Sequence, residues 1–76
     1  MSDERTMRLV RLIDERCRAR SRRCSAHDYF ALTVVASVVS FLEDSGLAHA
    51  ADAVENVLTH ELLPRVEERA AQGGRR

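Results

Sequence analysis

Apolar residues dominate the middle of the chain, from Tyr29 to Leu42, where they recur at helical rather than alternating spacing. At about 100° per residue, their side chains cover roughly 200° of the helix surface. A helix that packs on one neighbour needs an apolar stripe only a little wider than about 100°. The segment therefore predicts a helix with more apolar surface than one neighbour can cover. The polar remainder is a narrow strip at helical spacing: Thr33, Ser37, Ser40 and Asp44.

Two helices are predicted in the N-terminal part of the chain. Helix 1 spans about 3–20 and gathers its apolar side chains on one face, with Leu9 at the border of that face. Helix 2 spans about 26–44, because Ser25 followed by Asp28 fits a capping box and Gly46 fits the position that ends many helices. The predicted apolar face of helix 1 comprises Met7, Val10, Ile13 and Cys17.

A third helix is predicted over about 47–62. The connection from helix 2 is short, so this helix must fold back against helix 2. Small alanine side chains allow a close approach between the two helices. Its predicted apolar face comprises Leu47, Ala50, Ala51, Val54, Val57 and Leu58.

Pro64 predicts an interruption of the third helix, because proline lacks an N–H group and clashes with the preceding turn. We expect a kink near residues 62–63, a short kinked extension over 63–71 that carries Val66, and a disordered tail at 73–76. Glu61 falls at an apolar azimuth, either displaced into solvent by the kink or buried, and displacement is the expectation.

These elements predict an all-α fold in one domain over residues 1–72, built as a hairpin of helices 2 and 3 with helix 1 across it. The excess apolar surface predicts that two copies pack their second helices together into a helical bundle. The pattern leaves open which flank of helix 2 meets its own chain and which meets the other copy. The predicted dimer interface comprises Phe30, Val34, Val38 and Phe41, together with Leu42.

Residues 34–54 carry a helix–glycine–helix pattern in which three residues separate an aromatic-leucine pair from the glycine. This pattern resembles the LisH motif, although Ala50 stands where Ser or Thr is usual and Ser37 where Leu is usual. LisH segments are α-helical dimerisation modules, so the resemblance implies dimerisation. The whole layout is also similar to small bacterial helical proteins that dimerise. The matching positions are Val38, Phe41, Leu42, Gly46, Leu47, Ala51 and Val54.

Charge is unevenly distributed along the 76 residues, although the formal net charge is zero. Residues 1–25 hold eight Arg and four acidic residues, a net charge of +4, and residues 26–76 carry −4. This asymmetry is suited either to steering partners or to packing the N-terminal segment on the rest of the chain. The charged start lacks the apolar core of a signal peptide, and the apolar run of about 14 residues is shorter than the roughly 20 of a membrane span. We expect a cytoplasmic protein with reduced thiols that does not enter a membrane.

Residues with catalytic or metal-binding chemistry are few and scattered. Cys17, Cys24 and His27 are three potential ligands, whereas structural zinc sites use four ligands, usually in two close pairs. His49 and His60 lie about 16 Å apart along helix 3, too far to share a metal ion, and both are expected in solvent. We find no nucleophile–base set and no glycine-rich phosphate loop. We expect no metal, no cofactor and no enzymatic activity.

Five arginines between residues 16 and 23 form a cluster that could contact phosphates. No aromatic residues are interleaved to stack on bases, so a solvated helix end paired with acidic residues is the simpler interpretation. The leading functional prediction is a non-enzymatic, homodimeric adaptor or regulatory protein. The alternatives are a nucleic-acid-binding regulator and a subunit of a hetero-oligomer with a different protein. The cluster comprises Arg16, Arg18, Arg20, Arg22 and Arg23.

Overall fold

The computed structural model describes residues 2–17 and 24–73, which are helical apart from short turns, with no strand among them. The predicted all-α class is confirmed. α1 and α2 pack against each other, and α2 also packs against α3, which continues through a π-helical turn into α4. The elements are α1 Ser2–Cys17, α2 Ala26–Asp44, α3 Ala48–Val57, the π-turn Leu58–Leu62, and α4 Leu63–Gly73.

The start of α2 is set by a side-chain cap. The Ser25 hydroxyl accepts a hydrogen bond from the backbone N–H of Asp28, with a distance of 3.1 Å between Oγ and N. This bond satisfies one of the donors that the first turn of a helix leaves unpaired. The Tyr29 hydroxyl donates to Asp14 at 2.7 Å and ties the same turn to α1.

The end of α2 is a Schellman motif centred on Gly46. Gly46 has a φ of 82°, a left-handed conformation that favours glycine. Its N–H donates to the carbonyl of Glu43, and the N–H of Leu47 donates to the carbonyl of Leu42, both at about 3 Å. These two bonds end α2 and turn the chain so that α3 packs back on it.

The π-turn explains how the third helix passes Pro64 without ending. The N–H of Leu63 donates to the carbonyl of Leu58, five residues earlier rather than four. The wider turn precedes the proline, which then occupies the first turn of α4, where a missing N–H is tolerated. The interruption therefore begins at Leu58, earlier than the predicted kink near residues 62–63. Glu61 is exposed, which confirms the expected displacement over burial.

The core is built from one narrow stripe on each helix. α1 contributes residues four apart, and α2 contributes a stripe that faces both α1 and α3. No polar or charged side chain is buried among the described residues. The core consists of Leu9, Ile13, Cys17, Leu32, Ala36, Val39, Ala51, Leu58, Leu63 and Val66.

Three predicted face residues lie in solvent instead. Met7 is 60% exposed, while Leu9, predicted at the border, is 2% exposed, because α1 is rotated so that Leu9, Ile13 and Cys17 meet the rest of the chain. Leu47 is exposed because it precedes α3 at the turn, outside the helical repeat. Val57 is exposed at the last position of α3, away from the stripe through Ala51 and Leu58.

Arg5 joins α1 to both helices of the hairpin, α2 and α3. Its Nη2 lies 2.6 Å from Asp52 Oδ1, its Nε lies 2.6 Å from Glu55 Oε1, and its Nη1 lies 3.4 Å from Glu43 Oε2. Hydrogen bonds to Asp52 and then Glu55 raise the pKa of Arg5 above its ordinary value. The Arg5 side chain is only 15% exposed. The basic N-terminal segment thus contacts the acidic remainder of the chain at this point.

Ile13→Ala is expected to lower the free energy of unfolding by about 2–5 kcal/mol, because it removes a fully buried side chain and leaves a cavity. The matched variant Met7→Ala, in the same helix but exposed, is expected to change it by no more than about 0.5 kcal/mol. Urea unfolding followed by circular dichroism measures both. Equal losses in the two variants would contradict the observed orientation of α1.

Arg5→Gln is expected to lower the free energy of unfolding by about 1–2 kcal/mol, since three carboxylates lose their shared donor. Arg8→Gln, at an exposed position of the same helix, is the control and is expected to change stability much less. The difference between the variants should shrink at high salt, where exposed charges are screened. Equal losses of stability in Arg5→Gln and Arg8→Gln would contradict the ionic explanation.

Candidate functional site

Four large apolar side chains of α2 lie exposed in a row, and we call them the outer face. Phe30 and Phe41 are 67% and 68% exposed, and Val34 and Val38 are 43% and 42% exposed. Their spacing of four, four and three residues places them along one side of the helix. A contiguous apolar surface of this kind marks an interaction site more often than scattered single residues do.

The outer face lies opposite the face that α2 buries. At about 100° per residue, the stripe of Leu32, Ala36 and Val39 is centred roughly 170° from the centre of the outer face. α2 therefore has two apolar faces, of which its own chain covers one. The sequence does not decide which flank of helix 2 packs on its own chain. In the structure it is the flank with Leu32 and Val39.

Four of the five residues predicted for a dimer interface lie on the outer face. The fifth, Leu42, is half-buried and packs against the core of its own chain together with Val35. Leu42 therefore belongs to the inner side of α2, and its carbonyl also accepts the bond that ends the helix.

The polar residues that border the outer face direct their hydroxyls back to the helix backbone. Thr33 Oγ1 donates to the carbonyl of Phe30 at 2.7 Å, and Ser37 Oγ donates to the carbonyl of Thr33 at 3.1 Å. Ser45 Oγ donates to the carbonyl of Phe41 at 2.9 Å. If another surface covered these three residues, their hydroxyl groups would keep their hydrogen bonds to the helix backbone. The main free-energy cost of burying polar groups, the loss of their hydrogen bonds to water, would therefore be small.

The thinness of the molecule explains why the outer face is uncovered. The Cα atoms extend over 45 × 18 × 16 Å, which is about two helix diameters in cross-section. The radius of gyration is 12.9 Å, against about 11 Å expected for a compact domain of this length. In a layer this thin, one side of the central helix has none of the described helices packed on it.

By length and composition alone, α2 is also long and apolar enough to cross a membrane. Only 17% of its most apolar 18-residue stretch is buried. The core helix of a soluble protein passes the same test. The uncharged stretch from Tyr29 to Leu42 spans about 21 Å at 1.5 Å per residue, against about 30 Å of bilayer hydrocarbon.

Cys17 and Cys24 meet at the junction of α1 and α2 as free thiols. The N–H of Cys24 donates to the carbonyl of Cys17 at 3.2 Å. Burial, followed by a hydrogen bond with Cys24, raises the pKa of Cys17 to about 12. The side chain of His27 is 89% exposed and lies 3.6 Å from Asp28, so the structure does not bring it together with the thiols as a ligand set.

The described residues contain no group of three or more potential metal ligands. His49 and His60 are both exposed, as their positions on helix 3 predicted.

Arg16 is the one member of the predicted nucleic-acid cluster within the described residues, and it is engaged by α4. Its Nε and Nη2 lie 2.7 and 2.6 Å from the two carboxylate oxygens of Glu67. The hydrogen bond from Arg16 lowers the pKa of Glu67, so the pair contributes stability at neutral pH that is lost as acid protonates the carboxylate. The predicted contacts at Arg18, Arg20, Arg22 and Arg23 lie outside the described residues.

Three further exposed apolar side chains were not predicted as surface: Met7, Leu47 and Val57. A helical wheel assigns residues to an apolar side but not to the part of that side that a neighbour covers. The sequence therefore held no signal that separated these three from the core.

Comparison of the chain with known proteins found no matching family model, no matching curated protein and no matching solved structure. The resemblance of residues 34–54 to LisH segments stays a prediction.

Cys17 is expected to resist thiol reagents in the folded protein, since both its burial and its raised pKa suppress the reactive thiolate at pH 8. In a Cys24→Ser variant, the only thiol should react with DTNB at least about tenfold more slowly in buffer than in 8 M urea. Cys17→Ala, which retains the half-buried Cys24, serves as the matched control. Equal rates for Cys17 in buffer and in urea would contradict the packing of α1.

Proposed function

We propose that this chain is a non-enzymatic dimerisation module, a small adaptor or regulatory protein whose outer face binds a second copy of itself. The observation that carries this proposal is the position of Phe30, Val34, Val38 and Phe41 opposite the packed side of α2. Phenylalanine side chains that are two-thirds exposed and aligned with valines form a surface suited to close packing between helices.

The size of the outer face is sufficient for moderate association. Two copies would bury eight side chains that are now 42–68% exposed, which contributes on the order of 10 kcal/mol before costs. The loss of translational and rotational freedom opposes this by roughly 4–15 kcal/mol. At the low end of this cost the balance is about 6 kcal/mol in favour of the dimer, a dissociation constant of tens of micromolar, and every further 1.4 kcal/mol or so from neighbouring surface tightens it about tenfold.

A second copy suits this face because the face is free of charge. No Arg, Asp or Glu occurs between Tyr29 and Leu42, so two identical surfaces can meet without bringing like charges together. The formal net charge of zero likewise imposes no overall repulsion between copies. Chains of this size have marginal stability alone, and a partner subunit is a common means of reinforcement.

The LisH-like hairpin supports the same function. Its turn residue Gly46 matches the glycine of the motif and has a positive φ, and it connects α2 to α3 through a Schellman motif. Association through α2 would place two hairpins side by side, with four helices at the centre of a bundle. The resemblance implies dimerisation as the activity of such a hairpin.

Sedimentation equilibrium tests this function. The wild-type chain is expected at twice its 8.6 kDa mass at tens of micromolar. Val38→Arg is expected to weaken association at least about 100-fold, because an unpaired charge would be buried. Asn56→Arg, at an exposed position of α3, is the matched control and should leave the dimer intact.

Three outcomes would contradict the proposal. One is a wild-type monomer at these concentrations that unfolds cooperatively. Another is association that Val38→Arg and Asn56→Arg weaken equally. The third is sedimentation with phospholipid vesicles in place of self-association, which would assign the outer face to a membrane surface instead.

A further inference from the structure

The outer face is nearly symmetric about its own midpoint. Read from the N-terminal end, it presents Phe, Val, Val and Phe, and positions 30 and 41 are equidistant from a point between residues 35 and 36. Val34 and Val38 lie on either side of that point, within one residue of equal distance. At 1.5 Å per residue, each phenylalanine is about 8 Å along the helix axis from the midpoint.

We propose that two copies pair their α2 helices antiparallel, about a twofold axis that passes close to the midpoint of the outer face. Phe30 then packs against Phe41 of the partner subunit, and Val34 packs against Val38 of the partner subunit. This arrangement rests on the proposed dimerisation and specifies its orientation. A twofold axis makes the contact self-complementary, so the assembly closes at two copies.

Side-chain size supports close antiparallel packing. The two valines at the centre are smaller than the phenylalanines, so the helices can approach at the axis. At each end of the contact, an aromatic ring of one copy meets an aromatic ring of the other, in a pair that contributes beyond its buried area. The exposed Ala31, next to the valines, adds further room for approach.

The distribution of charge at the ends of α2 favours the antiparallel orientation. The last turn of α2 holds Glu43 and Asp44 and no basic residue. Antiparallel pairing places the acidic last turn of each copy beside the N-terminal end of the partner's α2, where the helix dipole favours negative charge. Parallel pairing would bring the acidic ends of both copies together and would align the two helix dipoles unfavourably.

Asp28, the acidic residue of the first turn, does not offset this preference. Its carboxylate is only 12% exposed and lies 3.4 Å from Arg69 and 3.6 Å from His27 of its own chain. Its charge is therefore compensated within the protomer. Glu43, in the last turn of α2, likewise lies 3.4 Å from Arg5 of its own chain.

Spin-label distances between copies test the orientation. The label is placed at Ala26→Cys, an exposed position at the start of α2, in a chain that also carries Cys17→Ala and Cys24→Ala. Antiparallel pairing predicts about 30 Å between the two labels, from about 28 Å along the axis and 8–10 Å between helices. Parallel pairing predicts about 10 Å, which would overturn the orientation while the dimer remains.

Sedimentation of the labelled protein separates the two proposals. A monomeric mass for both the labelled and the wild-type chain would overturn the dimer itself. If the label alone disrupts association, Ser45→Cys in the same background, at an exposed position that leaves both acids of the last turn in place, provides the second measurement. Antiparallel pairing then predicts about 30 Å between copies, and parallel pairing again predicts about 10 Å, the result that would contradict the orientation.

Discussion

The constraint on which this structure depends is that α2 is apolar on two opposite sides. Its inner stripe, through Leu32, Ala36 and Val39, is covered by α1 and α3, whereas the outer face stays 42–68% exposed. In a layer about two helices thick, none of the described helices packs on this second side. Because apolar surface removed from water contributes most of the stabilisation of a small domain, the uncovered side is where association can add the most.

Electrostatics holds the thin layer together where the apolar core is small. Arg5 connects α1 to acidic residues of α2 and α3, and Arg16 connects the far end of α1 to Glu67 of α4. Both ends of α1 are therefore fixed by ion pairs along the flanks of the layer. The ion pairs of Arg5 and Arg16 are formed within the chain and lie away from the outer face. The outer face itself carries no charged residue, so its contacts with another surface would be apolar.

Local signals in the sequence were sufficient to predict the extent of α2. The Ser25 cap and the glycine turn at Gly46 act through the nearest backbone groups, so neither depends on the rest of the fold. The rotation of α1 that buries Leu9 and exposes Met7 depends on how two helices meet, which periodicity does not encode. Which flank of α2 is exposed, and that Leu42 lies on the buried side, likewise depends on how the helices pack.

The π-turn lies between these two cases. Pro64 predicted a disturbance of the backbone, but not that it would be absorbed as a widened turn beginning at Leu58 with the helix continuing to Gly73. Several local backbone solutions satisfy a proline, and the burial of Leu58 and Leu63 selects the one that keeps both in the core.

Isotope-filtered NMR on a mixture of ¹³C-labelled and unlabelled chains tests the central claim most directly. The account predicts nuclear Overhauser contacts between copies from the methyl groups of Val34 and Val38 to the ring protons of Phe30 and Phe41. A dimer whose intermolecular contacts all arise from other surfaces, with these methyl groups in contact only with solvent, would contradict it.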